Sequence, residues 1–139
     1  MKPIILAFVL LLLMCFSCKS NYSNLSYSKA YIITDFCMCG TTAMLLNCYN
    51  SKMYDSSKLI LMSSSDLDRL NLIMNRSKKR KHFQRKIGSV KLAIDTYHGD
   101  SHDFLIIADN RIIDLLNGVE YICIKSDYEL IVDIGNGER

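Results

Sequence analysis

The chain has 139 residues and a formal net charge of +3 at pH 7. A balance this close to neutral gives no global case for nucleic-acid binding, and the length supports one modest hydrophobic core rather than two. No internal repeat and no low-complexity block interrupts it.

Lys2 precedes an unbroken apolar run over residues 4–16. As a helix rising about 1.5 Å per residue the run would reach roughly 20 Å, short of the roughly 30 Å hydrocarbon core of a bilayer. That length suits the hydrophobic region of a signal peptide better than a spanning anchor. The run closes as "MCFSCKS", with Ser17 and Cys18 at the junction, and the chain then turns polar. This junction resembles a bacterial lipobox, in which the cysteine is lipidated and becomes the mature N-terminus. Cys15 and Phe16 stand where that pattern has Leu or Val and then a small residue. Ordinary cleavage after Ser17 or Ser20 is the alternative. The resemblance implies a lipoprotein signal peptide over 1–17, loss of Cys15 and acylation of Cys18. A diacylglycerol and an amide-linked chain together give stable membrane attachment. It implies a lipid-anchored protein of the cell envelope, where disulfides persist. Lys19 after the acylated cysteine points to the outer membrane, facing the periplasm.

Residues 18–29 read as a flexible tether, 30–135 as one domain and 136–139 as a tail. "AYIITDF" (30–36) is β-branched and aromatic, a first strand. "CMCG" follows as a turn, and "TTAMLLNCYN" (41–50) is its return strand. "KLILMS" (58–63) reads as a third short strand. "SSDLDRLNLIMNRSK" carries Leu67, Leu70, Ile73 and Met74 at helical spacing, with Ser65 as N-cap and Arg76 and Lys78 in the last turn. "SVKLAIDTY" (89–97) alternates, which places Val90, Leu92 and Ile94 inward and Lys91, Ala93 and Asp95 outward. "HGDSH" is a turn, "DFLIIA" a buried strand, "DN" a hairpin turn and "RIIDLL" its return. "NG" at Asn117 and Gly118 is the strongest hairpin signal and leads into "VEYICIK". "SDYELIVDIG" has Ser126 and Glu129 in capping-box spacing and stops at Gly135.

The predicted order is β-β-β-α-β-β-β-β-α: an α+β fold with a mainly antiparallel sheet and its helices packed on one face. In element order this resembles a loose group of small bacterial lipoproteins of unassigned function. That resemblance brings no catalytic residues and no cofactor with it.

"DFCMCG" offers Cys37, Met38 and Cys39, soft sulfur ligands that would suit Cu(I) or zinc, with Met44, Met53 and Met62 as further thioethers. The alternatives are disulfides among Cys37, Cys39, Cys48 and Cys123, or buried free thiols. One bond from the Cys37/Cys39 pair or Cys48 to Cys123 is the expected scheme. His98, Asp100, His102 and Asp103 in "YHGDSHD" have zinc-ligand chemistry, but a Gly-Asp turn need not bring the rings together, and a solvated turn accounts for them. "NRSKKRKHFQRK" is strongly basic. Lys78, Lys79, Arg80, Lys81, Arg85 and Lys86 could rest on anionic headgroups at about 1 kcal/mol each, or form a solvated helix-to-strand connection. A cysteine nucleophile would need a histidine base, and Cys37 or Cys39 with His98 or His102 are the candidate pairs, with no flanking motif around any of them. The functional expectation is a non-enzymatic, protein-binding domain of inhibitor, immunity-like or accessory type, partnered by another envelope protein and not by nucleic acid. Soft-metal binding through the Cys37-Met38-Cys39 turn is the alternative.

Overall fold

The computed structural model describes residues 2–16, 26–37, 40–81 and 86–137. The apolar N-terminal run is a helix, α1 (Lys2–Phe16), and Ile4, Leu6, Phe8 and Leu11 on it are exposed. None of its described side chains enters either core of the domain. Of the expected tether, residues 26–29 belong to the fold instead. Tyr27 is buried, its N–H donates to Asn71 Oδ1 at 2.7 Å, and Asn71 Nδ2 donates back to the Tyr27 carbonyl at 3.0 Å.

The sheet has seven strands, all paired antiparallel, in an α+β fold. In chain order these are β1 (Lys29–Ile33), β3 (Ile60–Leu61), β4 (Lys78–Lys81), β6 (Val90–His98), β7 (Ser101–Ala108), β8 (Arg111–Asp114) and β9 (Val119–Ile122). Two short strands, β2 (Gly40–Thr41) and β5 (Lys86–Ile87), pair separately. The spatial order β3-β1-β6-β7-β8-β9-β4 makes β6 to β9 a meander. Its turns follow from local chemistry. Asp109 and Asn110 both take positive φ, 52° and 59°, as a two-residue turn of primed type requires. The two-residue turn expected at Asn117-Gly118 is instead a four-residue one, 115–118, with Gly118 at φ 63° and its N–H donating to the Asp114 carbonyl at 3.0 Å.

Segment 41–50, expected as a strand, is a helix: α2 (Thr42–Asn50). Thr41 caps it by accepting the N–H of Met44 at 3.2 Å. Leu45 and Cys48 are buried and Tyr49 half-buried, an i, i+3, i+4 stripe that only a helix presents to one surface. The third helix, α3 (Ser64–Arg76), is capped two residues before the expected position; Ser63, not Ser65, accepts the N–H of Asp66. The last, α4 (Lys125–Asn136), has Ile124 at its N-cap without a side-chain bond, and it ends at Gly137 in the left-handed conformation, not at Gly135. Gly135 lies inside it, where a Cβ would meet Leu92 Cδ2 at 2.4 Å. Its bare backbone lets α4 seat closely on β6.

Both helices expected from the sequence, α3 and α4, pack on one sheet face. Leu70, Ile73, Met74, Tyr128, Ile131 and Ile134 meet Leu92, Ile94, Leu105 and Ile107 there. The opposite face is covered by α2, through Leu45 and Cys48 with Phe36, against Ala93, Phe104, Ile106 and Ile113. A sheet covered on both sides explains why β7 reads as a continuous apolar run. It also corrects the alternation expected for β6, since Ala93 and Asp95 are buried rather than outward. A bulge between Val90 and Leu92 shifts the register, so Val90 joins the α2 face while Leu92 and Ile94 join the other.

Candidate functional site

An antiparallel meander returns alternate turns to the same end of the sheet. The Gly99-Asp100 turn between β6 and β7 therefore lies beside the 115–118 turn between β8 and β9. A polar cleft of about 520 Å3 opens between them, on the face shared with α3 and α4. At its floor are Asp103 and Asp114, both buried. Asp114 closes its own turn: Oδ1 accepts the N–H groups of Leu116 and Asn117, each at 3.2 Å. Asn117 then joins the two carboxylates, donating Nδ2 to Asp114 Oδ2 at 2.6 Å and to Asp103 Oδ1 at 3.0 Å. Asp103 Oδ2 also accepts the Tyr27 hydroxyl at 3.0 Å and has His98 Nε2 at 3.4 Å.

Burial raises the Asp114 carboxyl above the usual carboxylate range; the bond from Asn117 opposes this, and the charge of Asp103 adds to it. Tyr27 and Tyr121 are also pushed up, first by burial and then by these carboxylates, so both remain protonated donors. Tyr121 lines the cleft at 2% exposure, and its hydroxyl makes no hydrogen bond among the described residues. Asp100 and Lys79 also line the cleft.

A second polar group occupies the other face at the same end of the sheet. Tyr97 donates its hydroxyl to Asp95 Oδ2 at 2.9 Å, and His102 Nε2 lies 2.6 Å from the Tyr49 hydroxyl on α2. Asp95 Oδ1 is buried with no hydrogen-bond partner, 4.0 Å from His102 Nε2. Burial raises the Asp95 carboxyl, and burial with the adjacent carboxylate pushes the Tyr97 phenol up to about 12.

His98 pairs with Ser101 and His102 with Tyr97 in the β6–β7 register, so the two rings leave opposite faces; both residues border the cleft, but His98 approaches Asp103 whereas His102 approaches Tyr49 and Asp95. Among the described residues no three His, Cys, Asp or Glu side chains are placed to hold a metal ion. Cys37 forms a disulfide with Cys48, which fastens the segment after β1 to α2. That bond corrects the expected link to Cys123, which is a free thiol pushed up to about 11 by burial and then by Asp127. It also takes Cys37 out of the soft-metal set and out of the cysteine–histidine pairs. Met38 and Cys39 lie outside the described residues, as does Cys18. Met62 is buried in the α3–α4 core, whereas Met44 and Met53 are exposed.

The basic run is not a loose connection. Lys78–Lys81 forms β4, an edge strand with all four residues exposed, paired to β9. Alternation splits the run between the two faces. Lys79 lines the cleft, while Arg80 turns to the other side and, with Arg111 Nη1 at 2.7 Å, clamps the buried carboxylate of Glu120. Arg85 lies outside the described residues, and Lys86 sits in β5.

The sequence reading names part of the lining, His98, Asp100, His102, Asp103 and Lys79, but not the cleft, because its parts come from four separated segments. The Asp114-to-Asn117 turn carries a further local signal, an Asx side chain ahead of a glycine. Comparison with protein-family models, curated proteins and solved structures finds no match to this chain. What the fold and site define is a small α+β domain with a carboxylate-floored cleft at one end of its sheet.

Proposed function

We propose that the chain is a lipid-anchored protein of the bacterial cell envelope, a non-enzymatic domain that binds another protein. Cys18 carries the lipid, and the domain faces the periplasm from the outer membrane. One observation carries the anchoring: α1 is apolar, its described side chains are exposed and outside both cores, and Cys18 lies two residues past its end in the sequence. An apolar helix that the domain does not bury is suited to a translocating or lipid environment. No helix among the described residues is long and apolar enough to cross a membrane, and the anchoring reading requires none. The binding role rests on the cleft, a polar opening at the end of the sheet floored by two buried carboxylates.

Substituting Cys18→Ala tests the anchor in the expressing cell. The expected result is an unprocessed precursor or a product in the soluble fraction. Unchanged membrane attachment and unchanged mass would contradict it.

A further inference from the structure

We propose that the cleft between the Gly99-Asp100 and 115–118 turns binds a cationic nitrogen group, a guanidinium or a primary ammonium. The inference gives the binding role above its chemistry, and rests on that reading only for the ligand being carried by a protein.

The first support is the count of unused acceptors. An ionised carboxylate has about four acceptor sites. Asp103 receives Tyr27, Asn117 and the more distant His98; Asp114 receives two backbone N–H groups and Asn117. Each therefore keeps about one lone pair free. The second support is independent of the acids. Tyr121 is almost wholly buried, lines the cleft, and has a hydroxyl that no described residue engages. The hydroxyl is not sealed from water, since Tyr121 borders the cleft, and a ligand group that reaches it gains a direct hydrogen bond in place of one to solvent. Two carboxylate lone pairs and a phenolic oxygen facing one space call for a ligand rich in N–H donors. A guanidinium carries five of them in a planar fork.

Charge gives the same answer. Asp100, Asp103 and Asp114 face one lysine, Lys79, and two histidines, His98 and His102, in the lining, so the acidic groups hold the balance when the imidazoles are neutral. An anion would meet carboxylates at the floor. A bare metal ion would have to displace hydrogen bonds already made, and no described group of three ligands is placed to hold one.

The test is calorimetric titration of the full chain, purified in neutral detergent at low salt, with methylguanidinium. Saturable binding at one site is expected, weakened about tenfold or more by Asp114→Asn and severalfold by Tyr121→Phe, with the melting temperature of the second variant unchanged. Tetramethylammonium, which has the charge but no N–H, should bind much more weakly. The assignment is overturned by no saturable binding, by equal affinity for tetramethylammonium, or by affinity unchanged in Tyr121→Phe. That last variant decides alone if Asp114→Asn disturbs its turn. A blocked Gly-Arg-Gly peptide separates the sources. Affinity at least equal to that of methylguanidinium supports a partner's arginine side chain, and a loss of affinity supports a small free cation. None of these results bears on lipidation, so failure here leaves the Cys18 experiment to stand or fall by itself.

Discussion

Asp95 and Glu120 show two ways of burying a carboxylate in this domain. Glu120 is 2% exposed and is held by two guanidiniums, Arg80 and Arg111. Removing one cation leaves a buried charge with fewer partners, so Arg80→Ala should cost about 1–2 kcal/mol in denaturant unfolding, whereas Lys78→Ala should cost about 0.5 kcal/mol or less. Equal losses would place Arg80 in solvent with its neighbours. Asp95 has the Tyr97 hydroxyl on one oxygen and nothing on the other. Its folded pKa is raised, so the stability it contributes is full below the ordinary carboxylate range and is lost as pH rises through the raised value. Asp114 has the same sign. Asp95→Asn keeps an acceptor for Tyr97 and carries no charge. The variant should be at least as stable as wild type at neutral pH and should show a flatter decline above the carboxylate range. A loss of 1 kcal/mol or more, on the order of a hydrogen bond to a charge, would mean that His102 or Lys29 pairs with Asp95 in solution.

Among the elements, those legible in the sequence were the ones with local causes. The Asp109-Asn110 turn and the Gly118 end of the 115–118 turn depend on residues that tolerate positive φ, and α3 on a cap and a long apolar stripe. The elements missed were α2, β4 and the short β2–β5 pair. A nine-residue helix offers barely two turns of periodicity, and Thr41-Thr42 at its start suits a strand as well as a cap. Strand β4 has no apolar residue at all; its pairing comes from the β9 backbone. Four exposed cations on an edge strand also oppose pairing with another chain. The disulfide gives α2 a purchase that its length does not. Cys37 and Cys48 are 11 residues apart, and closing a loop of that size stabilises by about 3 kcal/mol. Replacing both with Ser should lower stability by about 2–4 kcal/mol and make unfolding insensitive to reductant, while Cys123→Ser should leave the reductant effect intact. A reductant effect that survives in the double variant would mean a different pairing.

For the whole molecule, the α+β class followed from the count of strand-like and helix-like segments. The two-sided burial of the sheet did not, because it depends on the segment misread as a strand. The cleft is likewise a property of the assembled sheet: Asp103 and Asp114 meet only through the β7–β8 register, and Tyr121 reaches them from β9. These features describe a domain that presents a polar cleft at one end of its sheet; the proposed function adds attachment to a membrane through the apolar N-terminal segment. That attachment is the central claim, and the intact mass of the protein extracted from membranes tests it most directly. The account predicts a chain beginning at Cys18 with the added mass of a diacylglycerol and an amide-linked acyl chain. A chain beginning at Cys18 or Asn21 with no added mass, or one still carrying residues 1–17, would contradict it.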